Sequence, residues 1–359
     1  MHGPTLLLPV AGRSSRYPGM RPKWLLTHPR GTLMLTEAIR GLEPSQYGRI
    51  VIVALASHEK EYGFSEAIVA ELAAEYGIPQ TAIQVLLLKH ETGSQPETIY
   101  EGLKQAGVQG PFLVKDSDNH FAMPQVPAKN SVAVIDLNLC KPILVGNKSY
   151  VMQDGRGFIT NIVEKQVISN WFCCGGYFFE SAERFCRQFE RLRGQTPLYP
   201  STVIEGMLQE GDAFQTTEAQ HFEDWGTLPD WTAFKERYAT LLIELDGVVV
   251  LDSHRHFEPR WGATEALRRN AQAISRLYES GKTEIIIITS RPEAFEATTR
   301  EQLRKNSIRF HRLLMGLPSG SRRVLVSGFS ENTPYPAAEA INLRVNDDRL
   351  DEHLLKLLP

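Results

Sequence analysis

The chain has 359 residues, 42% of them hydrophobic and 23% charged, and a formal net charge of −3. That length exceeds what one core usually serves, so two domains are expected. The near balance of charge gives no electrostatic reason for a nucleic acid or an anionic membrane as partner. No apolar run approaches the ~20 residues of a membrane span, and the opening MHGPTLLLPVAGRSSR lacks the basic n-region of a signal peptide. Cys140, Cys173, Cys174 and Cys186 have no CxxC spacing and read as reduced thiols of a cytoplasmic protein.

Short β-branched runs alternate with helical segments, which predicts a mostly parallel α/β sheet. TLLLPV (5–10) predicts a strand that runs into a Gly/Ser/Arg loop, and RIVIVAL (49–55) a second strand. SEAIVAELAAEYG (65–77) predicts an amphipathic helix closed by glycine, and AIQVLLL (82–88) a third strand. QPETIYEGLKQAG (95–107) is a predicted helix, PFLVKDSD (111–118) a strand ending in carboxylates, and SVAVIDL (131–137) and WFCCGGYFF (171–179) are further strands. A fresh α/β cycle opens at ATLLIELDGVVV (239–250), followed by a helix over 261–281, strand EIIIITS (284–290), a helix over 293–306 and strand RRVLVSG (322–328). The expected domains are therefore 1–236 and 237–359.

Ligands of open α/β sheets gather at the carboxyl ends of strands, and three such ends carry suggestive residues. In PVAGRSSRYPGMRPKWLL (9–26), Gly12 and its small neighbours let backbone N–H groups approach phosphate oxygens, while Arg13, Arg16 and Lys23 supply fixed positive charge. The spacing is not that of a P-loop, and a solvated basic turn would read the same way. In VKDSDNHF (114–121), Asp116 and Asp118 at i and i+2 can point one way and hold Mg²⁺, although Asp-Ser-Asp is also good turn chemistry. In FEDWGTLPDW (222–231), Asp224 precedes a Trp-Gly pair and by itself says little.

Taken together, these segments resemble the sugar-phosphate nucleotidylyltransferases over most of residues 5–235. The family opens with a strand and a pattern near AAGxGxRxxPxxxxxPKxLL, present here as VAGRSSRYPGMRPKWLL with Ser14 at a frequent glycine. Its metal strand resembles SDNHF, which aligns Asp118 more directly than Asp116; VEKQ (163–166), GGYFF (175–179) and DWGTLPD (224–230) match its later motifs, with Gln166 in place of a proline. The resemblance implies a Rossmann-like mixed-sheet (GT-A-like) domain that transfers a nucleotidyl group from a nucleoside triphosphate to a sugar 1-phosphate or related phosphomonoester, releasing pyrophosphate, with Mg²⁺ as cofactor. It further implies Arg13, Lys23 and Asp118 as catalytic, and Pro9, Ala11, Gly12, Arg13, Arg16, Gly93, Ser94 and Gln95 around the nucleotide. Glu164, Lys165 and Gly176 would meet the acceptor, and Asp118 and Asp224 the metal, with Asp116 as helper. For ETGSQPET (91–98) an ordinary helix N-cap at Ser94 is an equal and compatible reading, while His120 and Cys173-Cys174 read as strand-end packing.

Residues 240–350 resemble the haloacid dehalogenase superfamily, whose hDxDG strand carries a nucleophilic Asp. Here LLIELDGVVV has Glu244 at that position, followed by Asp246, and Thr289 in IIIITSRPEAF stands at the phosphate-binding position. The later strand continues into Ser327-Gly328-Phe329 where an Asn-Asp metal pair is usual, with Asn346-Asp347-Asp348 as a substitute. A nucleophile displaced by one methylene, with the metal pair gone, makes this domain a catalytically impaired relic, and a buried Asp246 is equally explained by hydrogen bonds from the next loop's amides. The expected function is synthesis of an activated sugar or related phosphoester for a surface polysaccharide. The alternatives are a bifunctional transferase and phosphatase using Glu244 or Asp246, and a sugar-nucleotide sensor that does not turn over. The expected partners are a nucleoside triphosphate and a small phosphorylated substrate; a homo-oligomer is compatible with the sequence.

Overall fold

Alternation along the first strands sorts their apolar residues onto two faces, because successive side chains of a strand point to opposite sides. Leu7, Val51 and Val53 enter one core cluster, and their neighbours Leu6, Leu8, Ile50 and Ile52 enter another. A sheet buried on both faces needs continuous apolar strands, which TLLLP and RIVIVAL supply. The computed structural model describes residues 3–140, 146, 148–328 and 338–357. The chain divides into two compact units, Met1–Trp231 and Thr232–Pro359. The division falls inside the helix Leu228–Lys235, and the sequence reading places its junction just after that helix.

The first unit contains β1 (Thr5–Pro9), β2 (Arg49–Leu55), β3 (Ile83–Leu88), β4 (Phe112–Lys115), β5 (Asn119–Ala122) and β6 (Ser131–Asp136). It continues with β7 (Ser149–Gln153), β8 (Ile159–Glu164), β9 (Trp171–Phe179), β10 (Gln215–Glu218) and β11 (Gln220–Asp224). The main sheet has the order β10-β6-β9-β4-β1-β2-β3, with β7 and β8 as a hairpin that joins it through β9. β9 runs antiparallel to β4 and β6, while β1 is parallel to β2 and β4, so the sheet is mixed. A separate antiparallel pair, β5 with β11, sets Asn119 opposite Asp224.

The second unit is a parallel sheet, β12 (Ala239–Glu244), β13 (Thr283–Ile288) and β14 (Arg312–Leu314), in that order. Helices Arg268–Ser280, Glu296–Lys305 and Leu350–Leu357 accompany it, and Ile243, Leu245, Ile274, Ile285, Ile287 and Leu303 lie in its core. Two expectations fail here. The helix expected from 261 begins only at Arg268, because Gly262 turns left-handed (φ +87°) with Thr298 2.4 Å from where a Cβ would sit, and Ala266 bridges to Val250. The strand expected over 322–328 does not form: Val324, Leu325 and Val326 are exposed, Val326 at 89%. A β-branched run becomes a strand only where a neighbour accepts its ladder and its face. Phe329 of the expected metal segment lies outside the described residues.

Candidate active site

β1 ends at Pro9 and the chain enters the basic loop. In it Ser14 is left-handed (φ +50°); its Oγ accepts from the backbone N–H of Lys23 at 3.2 Å and its carbonyl accepts from that of Tyr17 at 2.8 Å. This folds the loop back so that Lys23 and Arg16 face the end of β4. Gly12 has open space around its missing Cβ, whereas Ala11 is packed in the core beneath the loop. A cleft of about 580 Å³ lies between this loop and the next. Pro9, Gly12, Arg13, Arg16 and Lys23 line one side and Gly93, Ser94 and Gln95 the other, with Asp116 and Asp118 between. Both readings of 91–98 hold together: Ser94 Oγ accepts from the backbone N–H of Glu97 at 3.3 Å as a helix cap, and the same loop walls the cleft. Arg13 pairs with Glu91 at 2.5 Å, joining the two loops on the outside.

The carboxylates are set by backbone pairing. The backbone N–H of Trp225 donates to the Asp118 carbonyl at 2.9 Å, extending the β5–β11 ladder, so Asp118 and Asp224 meet at one end. Gly226 lies between them: a Cβ there would be 3.1 Å from Asp224 Oδ1, 3.4 Å from Arg16 Nη1 and 3.7 Å from Asp118 Oδ2. Tyr17, buried in the basic loop, donates its hydroxyl to the Trp225 carbonyl and lies 3.1 Å from that of Thr227, tying the loop to this turn. Each carboxylate has an ammonium partner. Lys23 Nζ pairs with Asp118 Oδ2, with Arg16 Nη2 at 3.4 Å, and Lys148 Nζ pairs with Asp224 Oδ2 at 2.6 Å. Burial disfavours the Asp118 charge, but Lys23 and then Arg16 outweigh it and hold the carboxyl well below the ordinary range.

Asp116 is different. Gln95 Nε2 donates to its Oδ1 at 2.5 Å, and its Oδ2 lies 2.6 Å from where a Cβ on Gly175 would be. Burial first, and then the charge of Asp118, push its pKa up to about 6. Beneath the turn, the fully buried Lys115 donates to the carbonyls of Asp116 (2.6 Å) and Asn119 (3.0 Å) and to Asn119 Oδ1 (2.6 Å). Desolvation lowers its pKa to about 8.

Of the expected acceptor residues, Glu164 ends β8, Lys165 follows it and Gly176 lies in β9. Glu164 Oε2 accepts from Ser149 Oγ and, at 2.8 Å, from Ser201 Oγ. Lys165 takes a left-handed backbone (φ +58°) and its Nζ donates to the Tyr199 hydroxyl at 2.6 Å. Gly176 packs against Phe121 and Ala133, so its close approach serves the core, while Gly175 (φ +88°) is the glycine that admits Asp116. His120 stacks on Trp225 and lies 3.1 Å from the Glu37 carbonyl, and Cys173 and Cys174 are buried, all as packing residues. Tyr17, Lys115, Lys148, Gly175 and Gly226 escaped the sequence reading. Lys115 lay in the Lys-Asp-Ser-Asp run, a lysine at the end of an apolar strand, and Gly175 and Gly226 lay inside the GGYFF and DWGTLPD motifs without being singled out.

Among the described residues no three His, Cys, Asp or Glu side chains converge on one point. The Asp118–Asp224 pair around Gly226 nevertheless suits magnesium, which binds proteins through one or two carboxylates and fills its octahedron with water and phosphate oxygens.

In the second unit both Asp246 oxygens are engaged: Arg291 Nη2 reaches Oδ1 at 2.6 Å and Nε reaches Oδ2 at 3.0 Å. Ser253 Oγ and Thr289 Oγ1 also donate, at 2.9 and 3.3 Å. The partner of Asp246 is thus a fully buried guanidinium and two hydroxyls, where loop amides were expected. Glu244 is half exposed and 3.4 Å from Arg323. Asn346 accepts from the Asp252 N–H, Asp347 pairs with Arg349, and Asp348 accepts from the Asn270 N–H at the start of a helix, so each has a structural partner. A larger open depression of about 700 Å³ beside the helix Arg268–Ser280 lacks the paired carboxylates and ammonium groups that mark the first-unit cleft.

No protein-family model matches the chain, and no curated protein matches it. Solved structures do. It is similar to a nucleoside-diphosphate-sugar pyrophosphorylase from Vibrio cholerae RC9, at 20% identity and a TM-score of 0.53 over 64% of this chain and 98% of that one. It is also similar to a UDP-glucose pyrophosphorylase complexed with UDP-glucose, at 14% identity and a TM-score of 0.52 over 66% of this chain and 99% of that one. The chain therefore shares the mixed α/β fold of these proteins over about two-thirds of its length.

Proposed function

We propose that the first unit is a magnesium-dependent nucleotidylyltransferase, and that the product is an activated sugar or related phosphoester of the kind consumed in surface polysaccharide synthesis. The convergence of Asp118, Asp224 and Arg16 around Gly226, with Lys23 paired to Asp118 and with Asp118, Arg16 and Lys23 lining the cleft beside the basic loop, carries the reading. An oxygen of the acceptor's phosphate attacks the α-phosphorus, the α–β bridging P–O bond breaks, and pyrophosphate leaves with its electron pair. Such a reaction asks the protein for positioning and charge neutralisation more than for covalent chemistry. Arg13 and Arg16 grip the triphosphate and then the pyrophosphate, and Lys23 faces the developing charge at the α-phosphate. Gly93 and Ser94 give the base a backbone wall, while Gln95 is turned toward Asp116. Glu164 and Lys165 serve the acceptor. Magnesium held by Asp118 and Asp224 would supply charge neutralisation at the α-phosphate, and Asp116 supports the turn that presents Asp118. The fold shared with proteins named as sugar pyrophosphorylases supports this class of substrate.

The second unit is proposed to be a haloacid dehalogenase-like relic without phosphatase activity, because Arg291 engages both oxygens of Asp246 and Glu244 stands half exposed outside that network. The test is pyrophosphate release from the purified chain with Mg²⁺, four nucleoside triphosphates and a panel of sugar 1-phosphates and small phosphomonoesters. Release with a specific pair supports the transferase; tight binding of a pair without release would make the protein a sensor.

A further inference from the structure

Lys148, which nothing in the motif pattern singled out, stands at the junction of the candidate metal site and the acceptor hairpin. Its Nζ is 2.6 Å from Asp224 Oδ2 with both side chains largely buried, and 5.4 Å over the Phe222 ring. Its carbonyl accepts from the backbone N–H of Lys165 at 2.9 Å, so it is the ladder neighbour of the acceptor lysine just beyond the Ser149–Glu164 pair. Its charge also reaches Asp118, where it is one of the groups favouring the ionised carboxylate. The ion pairs Lys23–Asp118 and Lys148–Asp224 match each of these carboxylates with an ammonium, and Arg16 also lies 3.4 Å from Asp118. Were Asp118 and Asp224 to hold a divalent cation, Lys23 and Lys148 would be freed from that pairing. Lys23 belongs to the donor loop, and Lys148 to the acceptor side.

We propose that Lys148 is an acceptor-binding residue that exchanges Asp224 for the acceptor's phosphate when the metal site fills, which makes the acceptor a dianionic phosphomonoester and its binding dependent on the metal. The inference rests on the transferase reading above. It is a swap of charge partners with no bond made or broken, and it explains why a lysine is held against a metal carboxylate rather than left in solvent.

Mn²⁺ alone, titrated calorimetrically into the full chain, is the first probe, with Lys148→Met keeping an apolar stem of similar length and Lys148→Arg keeping the charge. An ammonium that competes for Asp224 weakens the metal, so Lys148→Met binds Mn²⁺ about five- to tenfold more tightly than wild type, while Asp224→Asn loses binding. In steady-state assays with the phosphomonoester selected by the pyrophosphate screen, Lys148→Met raises its KM at least about tenfold and leaves that of the nucleoside triphosphate within about twofold; Lys148→Arg recovers most of the loss. Weaker Mn²⁺ binding in Lys148→Met would show a mere support for Asp224 and overturn the inference, as would an unmoved acceptor KM. Failure of wild type to bind Mn²⁺ through Asp224, or to release pyrophosphate with any pair, would instead overturn the transferase reading and this inference with it.

Discussion

At the scale of single residues, the site separates two neighbouring carboxylates by environment. Asp118 is kept ionised by Lys23 and Arg16, while Asp116, facing Gln95 and Gly175, is pushed up to about 6. A carboxyl raised in the folded state holds its proton after the unfolded chain has lost it. Stability therefore falls as pH rises from about 4 to 6, and the cost persists above that window. With chelator present, Asp116→Asn should raise the melting temperature at pH 8 relative to wild type and lose that advantage toward pH 4; an equal shift at both pH values would contradict the assignment. In the proposed reaction, Lys23→Ala removes the charge that faces the α-phosphate as it develops its transition-state charge. The expected result is a kcat lowered by about 10²–10³ with nucleotide KM within a few-fold, as for loss of an electrostatic stabiliser. An unchanged kcat would take Lys23 out of the mechanism.

Secondary-structure elements decide how much of this could be read in advance. The basic loop, the Asp-Ser-Asp turn and the Glu164-Lys165 pair at the end of β8 and just beyond are each contiguous in sequence, and their motifs carry their positions with them. The Gly226 cradle needs β5 paired with β11, and Lys148, just before β7, meets Asp224 at the end of β11, far away in sequence. QTTE and QHFED, the strands β10 and β11, have no apolar alternation and cannot be found by period alone. RRVLVSG has every local sign of a strand, yet is exposed, because strand identity is completed by a partner. In the second unit the strand end at Asp246 was visible, whereas Arg291, 45 residues on, was not. Asp246→Asn leaves that guanidinium buried without its counter-charge, and a loss of about 3 kcal/mol of stability is expected in urea unfolding. A loss below about 1 kcal/mol would show that the pair is not what holds this strand end.

In the whole molecule, the proposed transfer chemistry lies in the first unit and none lies in the second. A substitution in β12 is then silent for transfer: Glu244→Ala should leave pyrophosphate release within about threefold, and collapse of activity in a folded variant would show the units coupled. The fold likeness covers 64–66% of the chain, about the length of the first unit, and lies between 14 and 20% identity. It fixes an architecture and leaves the residues of the cleft to carry the argument for transfer. The most direct measurement is pyrophosphate release by Asp118→Asn against wild type with the productive substrate pair, each variant's fold followed by circular dichroism. The account predicts a fall of at least about a hundredfold with an unchanged spectrum, since the asparagine cannot hold the metal charge at the α-phosphate; near-normal turnover in the folded variant would contradict it.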